Sequence, residues 1–290
     1  MTKSKLNKHP LCHSIAGAVL TLSGLVGAAD PRYGHLPPGS ISISETREVN
    51  AEICRDHLFD PSAASSRLPA GYRLINAEEA ARSNHAIEPL LLADPKLRRY
   101  ALGSLCFMSA GKFFVDDMPV NDDDPVSIAF WWAAAAGPRH ADMRGKAAWV
   151  QLGSWYPLTA RNQPAIRTSD PMAQFVDLQM QAVWPNHWRM RLALAGESVS
   201  ATVTSSRNRS PSRAVQPGYM SLPMSGPGAG VFPVYTYVGH HHQSAHGTWR
   251  AAGGGVFSDA FLIPGDYTAF STVFQDGWSS RAGLYRFAAP

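Results

Sequence analysis

Four histidines, His240, His241, His242 and His246, fall within seven consecutive positions of this 290-residue chain. The preceding Tyr235-Thr236-Tyr237-Val238 alternates as a strand does. Continued past Gly239, that strand points His240 and His242 to one face and His241 to the other. Two imidazoles on one face suit a transition metal such as zinc, copper or iron. His246 would supply a third ligand, and Asp259 or Asp266 a carboxylate. The same imidazoles could serve as acid–base groups without a metal, because histidine titrates near neutrality. Neither H-x-[DE]…H nor H-E-x-x-H is present, and a solvated hairpin tip would have the same composition. No cofactor is expected on this reading, and a transition metal is the one possibility left open.

Lysine is scarce. Beyond the first 29 residues only Lys96, Lys112 and Lys146 occur. A lysine in apolar surroundings sheds its proton more readily and can form a Schiff base with a carbonyl substrate. Lys112, between Gly111 and Phe113-Phe114, has the most apolar neighbours, although a turn lysine reaching solvent fits the same context. Asn121-Asp122-Asp123-Asp124 offers hard oxygen ligands without EF-hand spacing and reads as a solvated acidic loop. No G-x-S-x-G, phosphate loop or dinucleotide fingerprint occurs.

Aromatic side chains in strand-like runs supply candidate walls for a pocket: Trp131, Trp132, Trp155, Tyr235, Tyr237 and Trp249. Pockets for small organic molecules are mostly apolar with a few placed polar groups, and His240 and His242 would stand at the mouth. Aromatics in strands are more often plain core.

The elements that would carry these residues are strands. Ser40–Cys54, 102–115, 126–136, 147–155, 175–183, 188–194 and 198–204 are apolar or alternate with period two. Asp60-Pro61 opens a short helix ending at Pro69, and Asn76 with Glu79 forms the capping box of a second. The segment 157–171 is polar and turn-rich, the best internal boundary. Leu262-Ile263-Pro264-Gly265-Asp266-Tyr267 is similar to the corner before a late strand in immunoglobulin-like sandwiches. The expected fold is mainly β, α+β at most: an antiparallel β-barrel or sandwich with a few short helices.

Lys3, Lys5 and Lys8 precede the uncharged run Ser14–Ala29, which ends in small residues. That is the pattern of a removable Sec-type signal peptide over 1–29, placing a single domain of 30–290 in the periplasm or outside the cell, with no membrane span left. Of 26 basic residues, three lie in that segment, leaving 23 against 22 acidic ones. No basic stripe remains for phosphate neutralisation, so nucleic acid is not an expected partner. Cys54 and Cys106 survive cleavage, and in an oxidising compartment they are candidates for a disulfide, with two buried thiols as the alternative.

Residues 47–115 run strand, Asp60-Pro61 short helix, Leu68-Pro69-Ala70-Gly71, strand, helix and long apolar strand. This order resembles the opening of acetoacetate-decarboxylase-like proteins. The resemblance implies one β-rich domain and a Schiff-base lysine within Glu-Leu-x-x-Tyr-Pro-Lys. That motif is missing here, and no lysine closely follows Ala133–Gly137, so no catalytic residue carries over. The reading is an exported β-rich protein with an aromatic-lined pocket for a small, partly apolar molecule, with lyase or hydrolase chemistry by histidine if it is an enzyme. A non-catalytic adhesion or assembly sandwich and a metal-dependent enzyme on the histidine cluster are the alternatives.

Overall fold

Two long apolar runs set the architecture, because a strand buried on both faces needs no polar alternation. They become β3 and β5 in a computed structural model, which describes residues 39–68, 72–82, 87–136, 147–206, 210–211, 218–221, 231–238, 241–261 and 272–286. For 147–149, 210–211, 218–221, 231–238, 241–244, 272–278 and 285–286 the backbone alone is described. The strands are β1 (Ser42–Phe59), β2 (Arg73–Leu74), β3 (Ala101–Val115), β4 (Met118–Pro119), β5 (Val126–Ala136), β6 (Ala147–Pro157), β7 (Ala173–Val176) and β8 (Leu178–Trp184). There follow β9 (His187–Leu194), β10 (Glu197–Ser205), β11 (Ser210–Pro211), β12 (Gly218–Ser221), β13 (Val231–Val238), β14 (His241–Gly253) and β15 (Thr272–Arg286). Among the described residues four short helices accompany them: α1 (Ala77–Ala81), α2 (Glu88–Ala93), α3 (Gln163–Ser169) and α4 (Val256–Ala260).

The mainly β expectation holds. The strands form one branched sheet, antiparallel except where β6 meets β7 and β12 in parallel. No closed barrel is detected among the described residues. β15 is the branch point: Thr272–Gln275 pairs with β1 on one edge and with β14 on the other, and Ser279–Arg286 pairs with β13. No helix among the described residues is long and apolar enough to cross a membrane.

Local signals behave as their chemistry requires. Asn76 and Glu79 close a capping box over α1. The Asp60 carboxylate accepts from Ser62 N at 2.9 Å, but the chain beyond it makes two 3-10 turns, Pro61–Ala63 and Ser65–Arg67, and not one helix. The segment 157–171 contains α3, which ends on the buried Asp170. The Pro264–Tyr267 corner and the N-terminal apolar run lie outside the described residues.

The central core gathers Ile53, Phe59, Leu105, Phe107, Trp131, Leu152, Trp155, Met190, Leu192 and Phe257, all at most 3% exposed. Each such side chain contributes about 1.5–3 kcal/mol by leaving water. A second cluster around Val49, Ile128, Tyr156 and Ile166 packs α3 on the opposite face of the sheet. A third packs α1 and α2 against Leu58, Leu102 and Ala134.

Candidate functional site

Strand β1 alternates Ala51, Ile53, Arg55, His57 and Phe59 towards the central core, and all five are at most 4% exposed. A guanidinium and an imidazole thus occupy positions that the pattern reserves for apolar groups. The Arg55 guanidinium stacks 3.8 Å from the Phe261 ring centroid and 5.8 Å from that of Trp249. His57 lies among Phe59, Phe257 and Phe261, with ring centroids 5.8–6.0 Å away.

Geometry fixes what His57 can do. Burial pushes its pKa from 6.5 down to about 3; the backbone bond to Arg55 opposes the shift and the Arg55 charge adds to it. The imidazole is therefore neutral. Its Nδ1 lies 3.2 Å from the carbonyl oxygen of Arg55. A carbonyl can only accept, so Nδ1 carries the hydrogen and Nε2 presents a lone pair. That Nε2 is buried and has no hydrogen-bond partner among the described residues, and the same is true of the indole N–H of Trp131.

The two orphaned atoms converge at Gly103, the cross-strand partner of His57. A Cβ placed on Gly103 would sit 3.0 Å from His57 Nε2, 3.0 Å from Phe59 and 3.1 Å from Trp131 Nε1. The two nitrogens are consequently no more than 6.1 Å apart. One is an acceptor and the other a donor, so the group that satisfies both is a hydroxyl, an enol or a water. Unmet polar atoms at such depth cost about 1–3 kcal/mol each.

The aromatic wall behind them is delivered by α4. The Phe257 ring lies 5.3 Å from Trp131 and 6.2 Å from Trp155, and the Phe261 ring 6.2 Å from Trp249. The Glu197 carboxylate, itself buried, accepts from Ser258 N and holds the start of α4. A side chain at Gly255 would collide with that carboxylate, since a Cβ there falls 2.4 Å from Glu197 Oε2.

On the other face of β1, Glu52, Cys54 and Asp56 alternate opposite Met108, Cys106 and Ser104. Cys54 and Cys106 are bonded, with their Cα atoms 4.0 Å apart. Burial pushes the carboxyls of Glu52 and Asp56 up to about 7, and a bond with Ser104 partly offsets this for Asp56. Among the described residues, one group of potential metal ligands gathers: Glu52, Cys54 and Cys106, their ligand atoms within 4.8 Å of one another. Asp170, also raised by burial, accepts from Gln151 Nε2 at 3.1 Å, Tyr156 Oη at 3.0 Å and Met172 N at 3.1 Å. It ties α3 to β6. A cleft of about 830 Å³, bordered by Asp124, Arg161, Gln179 and Trp188, opens beside the acidic loop.

The residues singled out in the sequence fare unevenly. Trp131, Trp155 and Trp249 meet around α4, whereas Trp132 points to the opposite face, where its ring lies 5.7 Å from that of Phe130. Tyr235 and Tyr237 are on β13, described by backbone alone. Lys112 lies elsewhere: its ammonium is partly exposed, 3.3 Å from Asp123 and 3.4 Å from the Asp122 carbonyl, away from the aromatic cluster. Lys96 is exposed, and Lys146 lies outside the described residues. His240 lies outside them too, and His242 is described by backbone alone. Residues 241–247 form no hairpin tip: β13 and β14 run antiparallel along the same β15, and β14 continues against β10. His246, exposed, pairs with Thr204 in that ladder. Arg55 and His57 were missed. Their signal was present in Ala51–Phe59, where two polar residues fill the apolar phase of an alternating strand.

No protein-family model matches the chain, and no curated protein sequence matches it. Among solved structures, acetoacetate decarboxylase from Legionella pneumophila subsp. pneumophila str. Philadelphia 1 superposes with a TM-score of 0.52 at 8% identity, over 98% of this chain and 99% of that one. The chain has the acetoacetate-decarboxylase fold. The likeness found in the order of elements over 47–115 thus extends across the molecule. A second acetoacetate decarboxylase structure gives a TM-score of 0.48 at 8% identity, covering 90% of this chain and 94% of that one. The enduracididine biosynthesis enzyme MppR, complexed with pyruvate, gives 0.45 at 15% identity over 92% and 99%. At these identities the likeness is one of fold.

Proposed function

We propose that this is an exported, lyase-type small-molecule-binding protein whose ligand is a small hydroxy acid, or the enol of a keto acid, held between Arg55, His57 and Trp131. The observation that carries the reading is the buried, unmet acceptor–donor pair of His57 Nε2 and Trp131 Nε1 converging at Gly103. A hydroxyl or enol oxygen there donates to the imidazole and accepts from the indole. The Arg55 guanidinium, on the same face of β1 and set among aromatic rings, supplies the charge that draws a carboxylate; low polarity strengthens that attraction. Phe257 and Phe261 cover the apolar part of such a ligand.

The fold supports acetoacetate as the first compound to try. As carbon dioxide leaves a β-keto acid, the electrons of the broken C–C bond move onto the ketone oxygen, where the Trp131 N–H is the donor placed to meet that charge, and a proton from water turns the enolate into the enol. With a pKa of about 3, His57 is a weak base and acts here as an acceptor that orients the enol. This replaces the acid–base role expected of His240 and His242. Export is supported by the basic, then apolar, N-terminal run and by the Cys54–Cys106 bridge, which belongs to oxidising surroundings.

Calorimetric titration with 3-hydroxybutyrate and carbon dioxide release from acetoacetate test the reading. Trp131→Phe keeps the ring and removes the donor, so affinity falls about tenfold, the worth of one buried hydrogen bond. Neither binding nor turnover at millimolar concentration in the wild type would count against it.

A further inference from the structure

The disulfide occupies a place with a second chemistry. Cys54 and Cys106 are direct cross-strand partners on β1 and β3, so the two sulfurs stay neighbours whether or not they are joined. Glu52, two residues before Cys54, shares their face, with its Oε1 3.9 Å from Cys54 Sγ. The geometry points to a zinc site formed by Glu52, Cys54 and Cys106 when the bridge is reduced, so that bridge and metal are alternative occupants of one position. It is separate from the Arg55–His57 cluster, which lies on the other face of β1.

The ligand set is one that zinc takes: two thiolates and a carboxylate, with the fourth tetrahedral position left to water. Zinc–sulfur bonds of about 2.3 Å in a tetrahedron place two thiolates about 3.8 Å apart. The three ligand atoms lie within 4.8 Å of one another. Side-chain rotation within that triangle, with the strands held in register by their ladder, is enough to admit an ion. Glu52 and Cys54 are both partly exposed, which provides the entry path. The balance is simple. A dithiol reductant delivers two electrons and two protons, the S–S bond breaks to two thiols, and the reductant leaves as its own cyclic disulfide. Zinc then displaces the two thiol protons, which pass to solvent. In oxidising surroundings the bridge forms and the ion is excluded.

The test uses the full chain carrying Cys12→Ser, so that Cys54 and Cys106 are the sole cysteines. Cobalt(II) serves as the spectroscopic probe and zinc as its competitor, before and after reduction by a dithiol that is then removed anaerobically. The expected result is one cobalt per chain after reduction, with thiolate charge-transfer absorption and the strong visible bands of a tetrahedral ion, both erased by zinc and both missing from the bridged protein. Glu52→Gln should weaken binding by at least about tenfold while near-ultraviolet circular dichroism stays unchanged. The inference is overturned if the reduced protein titrates two thiols and keeps its tertiary signal yet shows no charge-transfer band. It is equally overturned if Glu52→Gln binds as tightly as the parent, or if reduction alone abolishes the tertiary signal.

Discussion

His57→Gln should change how stability depends on pH, by an amount the structure sets. In the folded protein the pKa of His57 is pushed from 6.5 to about 3 by burial. Between those values the unfolded chain binds a proton that the folded protein refuses, so this histidine makes stability fall as pH drops below 6.5, and the loss ends near pH 3. At pH 4 the gap from the unfolded value is about 2.5 pH units; at about 1.4 kcal/mol each, the contribution is about 3 kcal/mol. Glu52, Asp56 and Asp170 are displaced upward by burial and act with the opposite sign, favouring the folded state at low pH. They are common to both proteins and cancel in the comparison. Urea unfolding of wild type and His57→Gln at pH 7.5 and pH 4 measures the double difference. The wild type should lose about 3 kcal/mol more than the variant on acidification. Parallel profiles would mean that His57 is solvated or already charged, and the neutral-acceptor argument would fail with it.

Other substitutions probe the same cluster and its supports. Gly103→Ala drives a methyl group to about 3 Å from His57 Nε2, Phe59 and Trp131 Nε1; it should destabilise by about 1–3 kcal/mol and abolish ligand binding, both readable in one denaturant series with and without 3-hydroxybutyrate. Phe257→Ala empties the fully buried centre of the aromatic cluster and should cost about 3–5 kcal/mol in thermal or chemical unfolding. Tyr156→Phe removes the 3.0 Å bond to Asp170 and should cost about 1–3 kcal/mol, without changing ligand affinity, since it acts on the opposite face of the sheet. Lys112→Ala removes a partly exposed ion pair; stability should move by less than about 1 kcal/mol and turnover not at all, whereas a collapse of activity would restore the lysine to the chemistry.

How much of this was legible depended on the range of the interaction involved. Strand β3, strand β5 and the capping box of α1 could be read directly, because apolar runs and Asn76–Glu79 spacing express local preferences. The order of elements over 47–115 was enough to suggest the fold. Long-range register was not legible. Nothing local says that His57 faces Gly103 on β3, or that α4 brings Phe257 against Trp131 from more than a hundred residues away. The cysteine pair was visible as a pair, but not that Cys54 and Cys106 are direct cross-strand partners. Lys112 misled because its flanking phenylalanines are apolar in sequence while its own ammonium reaches the acidic loop at Asp123. The histidine run drew attention by density alone. The two residues with the better claim, Arg55 and His57, sat in plain alternation and were overlooked because a charged residue within a strand is ordinarily assigned to the solvent face.

The central claim is that a ligand oxygen completes the His57–Trp131 pair. A crystal structure with 3-hydroxybutyrate tests it most directly. The account predicts the hydroxyl oxygen within about 3 Å of both His57 Nε2 and Trp131 Nε1, with the carboxylate turned to Arg55. A ligand seated instead in the cleft beside Asp124, or no ligand between His57 and Trp131 at saturating concentration, would contradict the account.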